Sequence, residues 1–165
     1  MNKSDVMSLI DYMYWANERI LEAAERLSTE AFLATTSLTT RSLRATLVHE
    51  LDVEWSWRLN LQGLLTEATE ELRPDDYPDL AAIREHWRRD EAEMRAWLDG
   101  MSDAEVAAPV HSELSRDDRP LWQYVGHIVF HAAQQQSDAA TLLTLAGQSP
   151  GELGYLEYLQ RDRSG

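Results

Sequence analysis

Apolar positions recur along the chain at spacings of three and four, the period of an amphipathic helix. Val6, Ile10, Met13, Ala16/Asn17, Ile20, Ala24 and Leu27 form a first stripe, and predict a helix from about Ser4 to Leu27 with Ser4 as N-cap and Asp5 behind it. Leu43, Leu47, Leu51, Trp55 and Leu59 predict a second helix from about Arg41 to Gln62. Leu80, Ile83, Trp87, Met94 and Leu98 predict a third from about Asp79 to Asp99. Leu121, Val125, Ile128, Ala132, Ala139 and Leu143 predict a fourth from Pro120 to near Ala146. Leu153, Leu156 and Leu159 predict a short amphipathic helix within Pro150 to Gln160.

The punctuation between these stripes agrees with them. The first proline is Pro74, Pro74 to Pro78 reads as a turn-rich connector, and Thr35 to Thr40 reads as a Ser/Thr-rich loop. Gly63, Gly100 and Gly147 each follow a periodic segment, where a residue just past a helix end sits. Ser102 followed by Glu105 is a capping-box pattern that opens a short turn. No β-alternation of useful length, internal repeat or low-complexity segment is present. The expected fold is all-α: an antiparallel four-helix bundle with a short extra C-terminal helix, one domain over residues 1–165.

Composition narrows the chemistry. The 165 residues include no cysteine and carry a formal net charge of −14. Disulfides, thiolate metal sites and a cysteine nucleophile are excluded. The acidic balance argues against a nucleic-acid or anionic-membrane surface, since both need clustered Lys/Arg. The N-terminal stretch lacks the apolar core of a signal peptide and no segment approaches a membrane span, so a cytoplasmic protein is expected.

Any metal site therefore needs His, carboxylate or amide ligands. His127 and His131 lie one helical turn apart, the spacing with which two imidazoles share one ion. They belong to a polar row, Tyr124, His127, His131, Gln134/Gln135 and Asp138, at the margin of the fourth apolar stripe. His49 on the second helix, three residues before Asp52, meets them if those helices are neighbours. An isolated HxxxH is more often a pair of hydrogen-bonded histidines than a metal site, and Gln134 to Gln136 read equally well as a solvated face. HExxH and Glu-x-x-His pairs are absent. His86, among charged neighbours, reads as a surface residue; His111 lies in a loop. Acidic clusters such as Asp90, Glu91 and Glu93 read as surface charge, and the six tryptophans as packing. Gly-rich phosphate loops, GxSxG elbows and kinase signatures are missing.

Three stretches, Asp11 to Arg19, Leu47 to Trp57 and Trp122 to Leu143, with the tail Ser149 to Tyr158, resemble the DinB/YfiT-like proteins in the same order along nearly the whole chain. The resemblance implies a four-helix bundle, usually a homodimer, holding a divalent ion such as Zn or Ni on three histidines. It maps one ligand to His49 and one to His131, and puts Gln135 where the family's third histidine falls. A neutral amide is a poorer donor to Zn or Ni than imidazole. Three outcomes stay open: a weakened site of His49, His131 and Gln135, a shifted site of His49, His127 and His131, or no metal. The resemblance also implies thiol-dependent transferase or hydrolase chemistry on a small-molecule or thiol substrate, with Asp52 or Glu54 orienting the ligands. The contrasting expectation is a non-catalytic, stress-associated binding or scaffolding protein with a degenerate site.

Overall fold

The computed structural model describes residues 1–36 and 39–161, so Ser37 and Leu38 of the expected Ser/Thr loop lie outside the described residues. The chain runs α1 (Lys3–Ala24), α2 (Thr29–Leu33), α3 (Leu43–Leu61), a 3₁₀ turn at Pro74–Asp76, α4 (Leu80–Asp99), α5 (Asp103–Ala107), β1 (Pro109–Val110), β2 (Arg119–Pro120), α6 (Leu121–Leu145) and α7 (Tyr155–Gln160). Polar caps set most of the starts. Asn2, not Ser4, caps α1: its side chain accepts from Asp5 N, and the Asp5 carboxylate accepts from Asn2 N. Ser28, Ser42 and Asp79 cap α2, α3 and α4 through their side-chain oxygens, and Ser102 with Glu105 forms the expected capping box on α5. The α1 helix stops at Ala24, earlier than the stripe implied, because Ser28 restarts the chain as α2. Gly63 and Gly147 adopt φ of 69° and 77° just past α3 and α6, the left-handed region that glycine occupies without strain.

The four long helices bury most of the expected stripes, while Leu27, Trp55, Leu59 and Leu80 are half-buried. Ile10, Met13, Leu47, Leu51, Ile83, Met94, Ile128 and Leu143 are fully buried in one core. Each such side chain contributes roughly 1.5–3 kcal/mol of transfer free energy. Side-chain pairs give the direction of each helix relative to its neighbours. Asp11 with Arg95 and Glu18 with Arg84 make α1 and α4 antiparallel, and His49 with His131 and Trp57 with Tyr124 do the same for α3 and α6. Gln136 reaches Met13 while Arg26 reaches Gln148, so α1 and α6 run in the same direction. Glu54 with Trp87 and Arg58 with Asp90 make α3 and α4 parallel as well. The fully antiparallel pairing expected from the sequence is therefore corrected for two of the four contacts. Parallel neighbours need a connection as long as a helix, and residues 62–79 supply it, pinned back to α3 by Leu72 N donating to Asp52 Oδ1 and by Arg44 with Asp75.

The tail returns along α1. Arg19 donates to Pro150 O, Tyr12 Oη to Leu153 O, and Ser8 and Tyr155 share a hydrogen bond. The inward residue of α7 is Tyr158, at 5% exposure, whereas Leu156 and Leu159 of the expected stripe are 70% and 44% exposed. Six residues make fewer than two turns, too few for a periodic stripe to decide which face is buried. Rings decide it instead: Tyr12, Trp15, Tyr155 and Tyr158 pack edge to face or stacked on α1. Among the described residues no helix is long and apolar enough to cross a membrane.

Candidate metal centre

Antiparallel packing of α3 on α6 brings His49 and His131 together from opposite sides of the interface. Their ring centres are 5.2 Å apart with planes at 74°. With a metal–nitrogen bond of about 2 Å, two imidazoles on one tetrahedral ion have ring centres about 5.2 Å apart, and at most about 6.4 Å apart when opposite one another. The His49–His131 pair fits the first figure. His127 does not meet the limit: its ring centre is 6.5 Å from that of His131 and instead lies 4.9 Å from the ring of Trp57. Among the described residues no three His, Asp or Glu side chains are gathered closely enough to hold one ion.

The surroundings keep both imidazoles neutral. Burial and the neighbouring His49, His127 and Arg41 push His131 down to about 4, and burial with Arg41 lowers His49 against the opposing pull of Asp52 and Glu71. Neutral imidazole is the ligand form. His131 Nδ1 is buried without a hydrogen-bond partner, a cost that an electrophile at that nitrogen removes. Gln135 is buried beside this pair, and its amide oxygen accepts from Arg41 Nη1 at 3.4 Å. An ion at Gln135 would displace that donor and sit against a guanidinium. The donor set is thus two imidazoles that fit an ion, an exposed third imidazole 6.5 Å from His131, and an amide already engaged.

Other expected site residues have different work. Asp52 accepts from the connector at Leu72 N, and burial raises its carboxyl. Glu54 lies away from the histidines and fully buried, where it accepts from Asn17 Nδ2 at 3.1 Å and Trp87 Nε1 at 2.7 Å. Neither orients a histidine by a hydrogen bond. Gln136 joins the same network, donating to Met13 O and Asn17 Oδ1, so only Gln134 of the three glutamines is exposed. Both Glu50 oxygens are fully buried without a well-formed hydrogen bond, with the Gln136 amide close enough to favour the carboxylate weakly. Burial and the nearby Glu54 raise Glu50 well above the carboxylate range. Asp90, expected at the surface, is 2% exposed and pairs with buried Arg58. His86, also expected at the surface, is half-buried, with Nδ1 2.6 Å from Tyr77 Oη. His111 is exposed and faces Asp118.

Sequence periodicity missed Arg41, because a residue just ahead of a helix carries no pattern of its own. It missed the buried acids for another reason: Glu50, Glu54 and Asp90 sit where neighbouring helices close around them, and a single-helix stripe cannot show that. A cleft of about 430 Å³ between the end of α1, α2 and the start of α4 is lined by Leu27, Phe32, Pro78, Leu80 and Arg84 among others, and holds none of the histidines. A smaller one of about 290 Å³ opens at His127 and Trp57.

Comparison with known proteins agrees with this architecture. An uncharacterised protein from Clostridium difficile 630 has a similar crystal structure, with a TM-score of 0.61, 13% identity, and coverage of 84% of this chain and 94% of its own. A Streptococcus pneumoniae protein matches with a TM-score of 0.61 and 12% identity over 84% of this chain and 88% of its own. At such identities the likeness concerns the fold alone. No curated protein matches the chain. The model of the DinB family matches residues 1–163, and the chain belongs to that family.

Proposed function

We propose that this DinB-family protein binds a divalent metal ion, Zn or Ni, on His49 and His131, with His127 turning from Trp57 to supply a third imidazole. The observation that carries this reading is the pair itself: two neutral imidazoles at the spacing of shared ligands, one with a buried, unpartnered nitrogen. His127 is preferred to Gln135 as third ligand because imidazole is the stronger donor and Gln135 is held by Arg41. The shifted set of His49, His127 and His131 is therefore favoured over the weakened one. In this reading the four long helices form a four-helix bundle, acting as a cytoplasmic homodimer.

The ion, once bound with an open position, supplies Lewis acidity to a thiol or water, which suits a transferase or hydrolase. The chain's own residues do the rest. Arg41 and burial hold the imidazoles deprotonated, and Trp57 and Tyr124 pack as an aromatic pair beside His127. A second reading, a non-catalytic stress-associated scaffold, draws support from the Arg41–Gln135 contact, which fills the position of the family's third ligand. Calorimetric titration with zinc and with nickel separates them. Binding lost in His49→Ala and His131→Ala, weakened at least about tenfold in His127→Ala and little changed in Gln135→Ala supports the first reading. Absence of binding to the parent protein supports the second.

A further inference from the structure

The cleft at His127 is a built site. Its walls are Trp57 of α3, Ser115 and Arg119 of the segment before α6, and Gln123, Tyr124 and His127 of α6. The segment is tied down at several points. Ser112 Oγ donates to Asn60 Oδ1 at 2.8 Å and accepts from Leu114 N, while Tyr124 Oη and Ser115 Oγ both donate to Asp117 O. Arg119 stands on β2 in register with Val110, which fixes its backbone at the mouth. Trp57 and Tyr124 lie 5.6 Å apart at a 32° tilt, an aromatic floor continuous with the His127 ring. The polar wall carries one full charge, that of Arg119, whose exposed partner Asp117 stands 3.4 Å away. On the other flank of the histidines lies a second cation, Arg41. The histidines thus stand between two guanidiniums in a chain of net charge −14.

We propose that this cleft binds a small organic carboxylate, its apolar body on Trp57 and Tyr124 and its carboxylate on Arg119. About 290 Å³ is room for one ring-sized molecule, near the lower end of ligand pockets. A planar guanidinium accepts a carboxylate in two parallel hydrogen bonds, which fixes orientation as well as charge. The ligand's far end then lies toward His127. That the bound molecule is a substrate rests on the proposed metal centre; the binding does not.

The experiment follows phenylacetate and its neutral counterpart 2-phenylethanol by saturation-transfer NMR, on chelator-treated and on zinc-loaded protein. Phenylacetate is expected to bind both forms in the millimolar range, and 2-phenylethanol at least about fivefold more weakly, the size of a partly exposed charge contact. Arg119→Gln is expected to remove that preference and leave zinc content unchanged, and Trp57→Leu to weaken both probes. Equal affinity for the two probes, no binding up to 20 mM, or an Arg119→Gln variant indistinguishable from the parent overturns the proposal. Binding that vanishes on chelation and persists in Arg119→Gln also overturns it, since the carboxylate is then on the metal. Arg119-dependent binding by a protein that takes up no zinc leaves the cleft standing and removes the metal centre.

Discussion

The imidazoles of His49 and His131 meet edge to face across the α3–α6 interface, 5.2 Å between ring centres. Their approach follows from helix direction: α3 and α6 run antiparallel, and His49 stands opposite His131 as Trp57 stands opposite Tyr124. A histidine at position 135 tests this arrangement. Gln135→His removes the acceptor of Arg41 and places an imidazole one turn from His131. Zinc affinity measured by competition with a chromophoric chelator is expected to rise about tenfold or more. An unchanged affinity shows that an imidazole at position 135 does not reach an ion held by His49 and His131.

Arg58 and Asp90 form a buried pair joining α3 to α4, with both Nε and Nη2 of the guanidinium 2.7 Å from Oδ1. Removing the acid strands a charge in the core. Asp90→Ala is expected to cost about 3–5 kcal/mol in denaturant unfolding, whereas the double variant Arg58→Met/Asp90→Leu costs much less. A loss below about 1 kcal/mol in Asp90→Ala shows that water reaches the guanidinium.

Glu54 links stability to pH. Burial, opposed by hydrogen bonds from Trp87 and Asn17, raises its carboxyl from an ordinary value near 4.5 to about 8. The folded state therefore keeps a proton that the unfolded state releases between those values. The stabilisation is fully present below about pH 4.5 and declines as pH rises toward about 8, by up to about 1.4 kcal/mol per pH unit from this group. Glu54→Gln is expected to flatten the decline between pH 5 and 8 in unfolding titrations. The lowered His49 and His131 pull the other way below about pH 6.5, so the difference between parent and variant isolates Glu54, and an identical pH dependence in the two contradicts a protonated Glu54.

The tail is held to α1 by few contacts, chiefly Tyr158 packed on Tyr12 and Trp15. Tyr158→Ala is expected to raise amide exchange in residues 150–160 at least about tenfold and leave exchange in α3 and α6 nearly unchanged. Equal acceleration throughout shows that the tail unfolds only with the core.

Much of this architecture was legible in the sequence. The α1 and α6 stripes are buried nearly residue for residue, since those helices each present one apolar side to the core. The α3 helix is different: Leu43, Leu47 and Leu51 are buried as expected, but so are Glu50, Asp52, Glu54 and Arg58. A helix surrounded on most sides buries polar residues too, and their partners, Asn17, Trp87 and Asp90, come from other helices at separations no local pattern spans. Helix direction was illegible for the same reason, because periodicity is identical in parallel and antiparallel pairs. Of the site, the HxxxH spacing gave His127 and His131, and the second stretch of family resemblance gave His49. The turn of His127 toward Trp57 and the hold of Arg41 on Gln135 are tertiary contacts.

The most direct test of the metal centre is elemental analysis of protein purified without chelators or metal-affinity columns, beside His49→Ala and His131→Ala. About one zinc or nickel ion per chain in the parent and less than about a tenth in either variant is the predicted result. Less than about a tenth of an ion per chain in the parent itself, after supplementation with both metals, contradicts it.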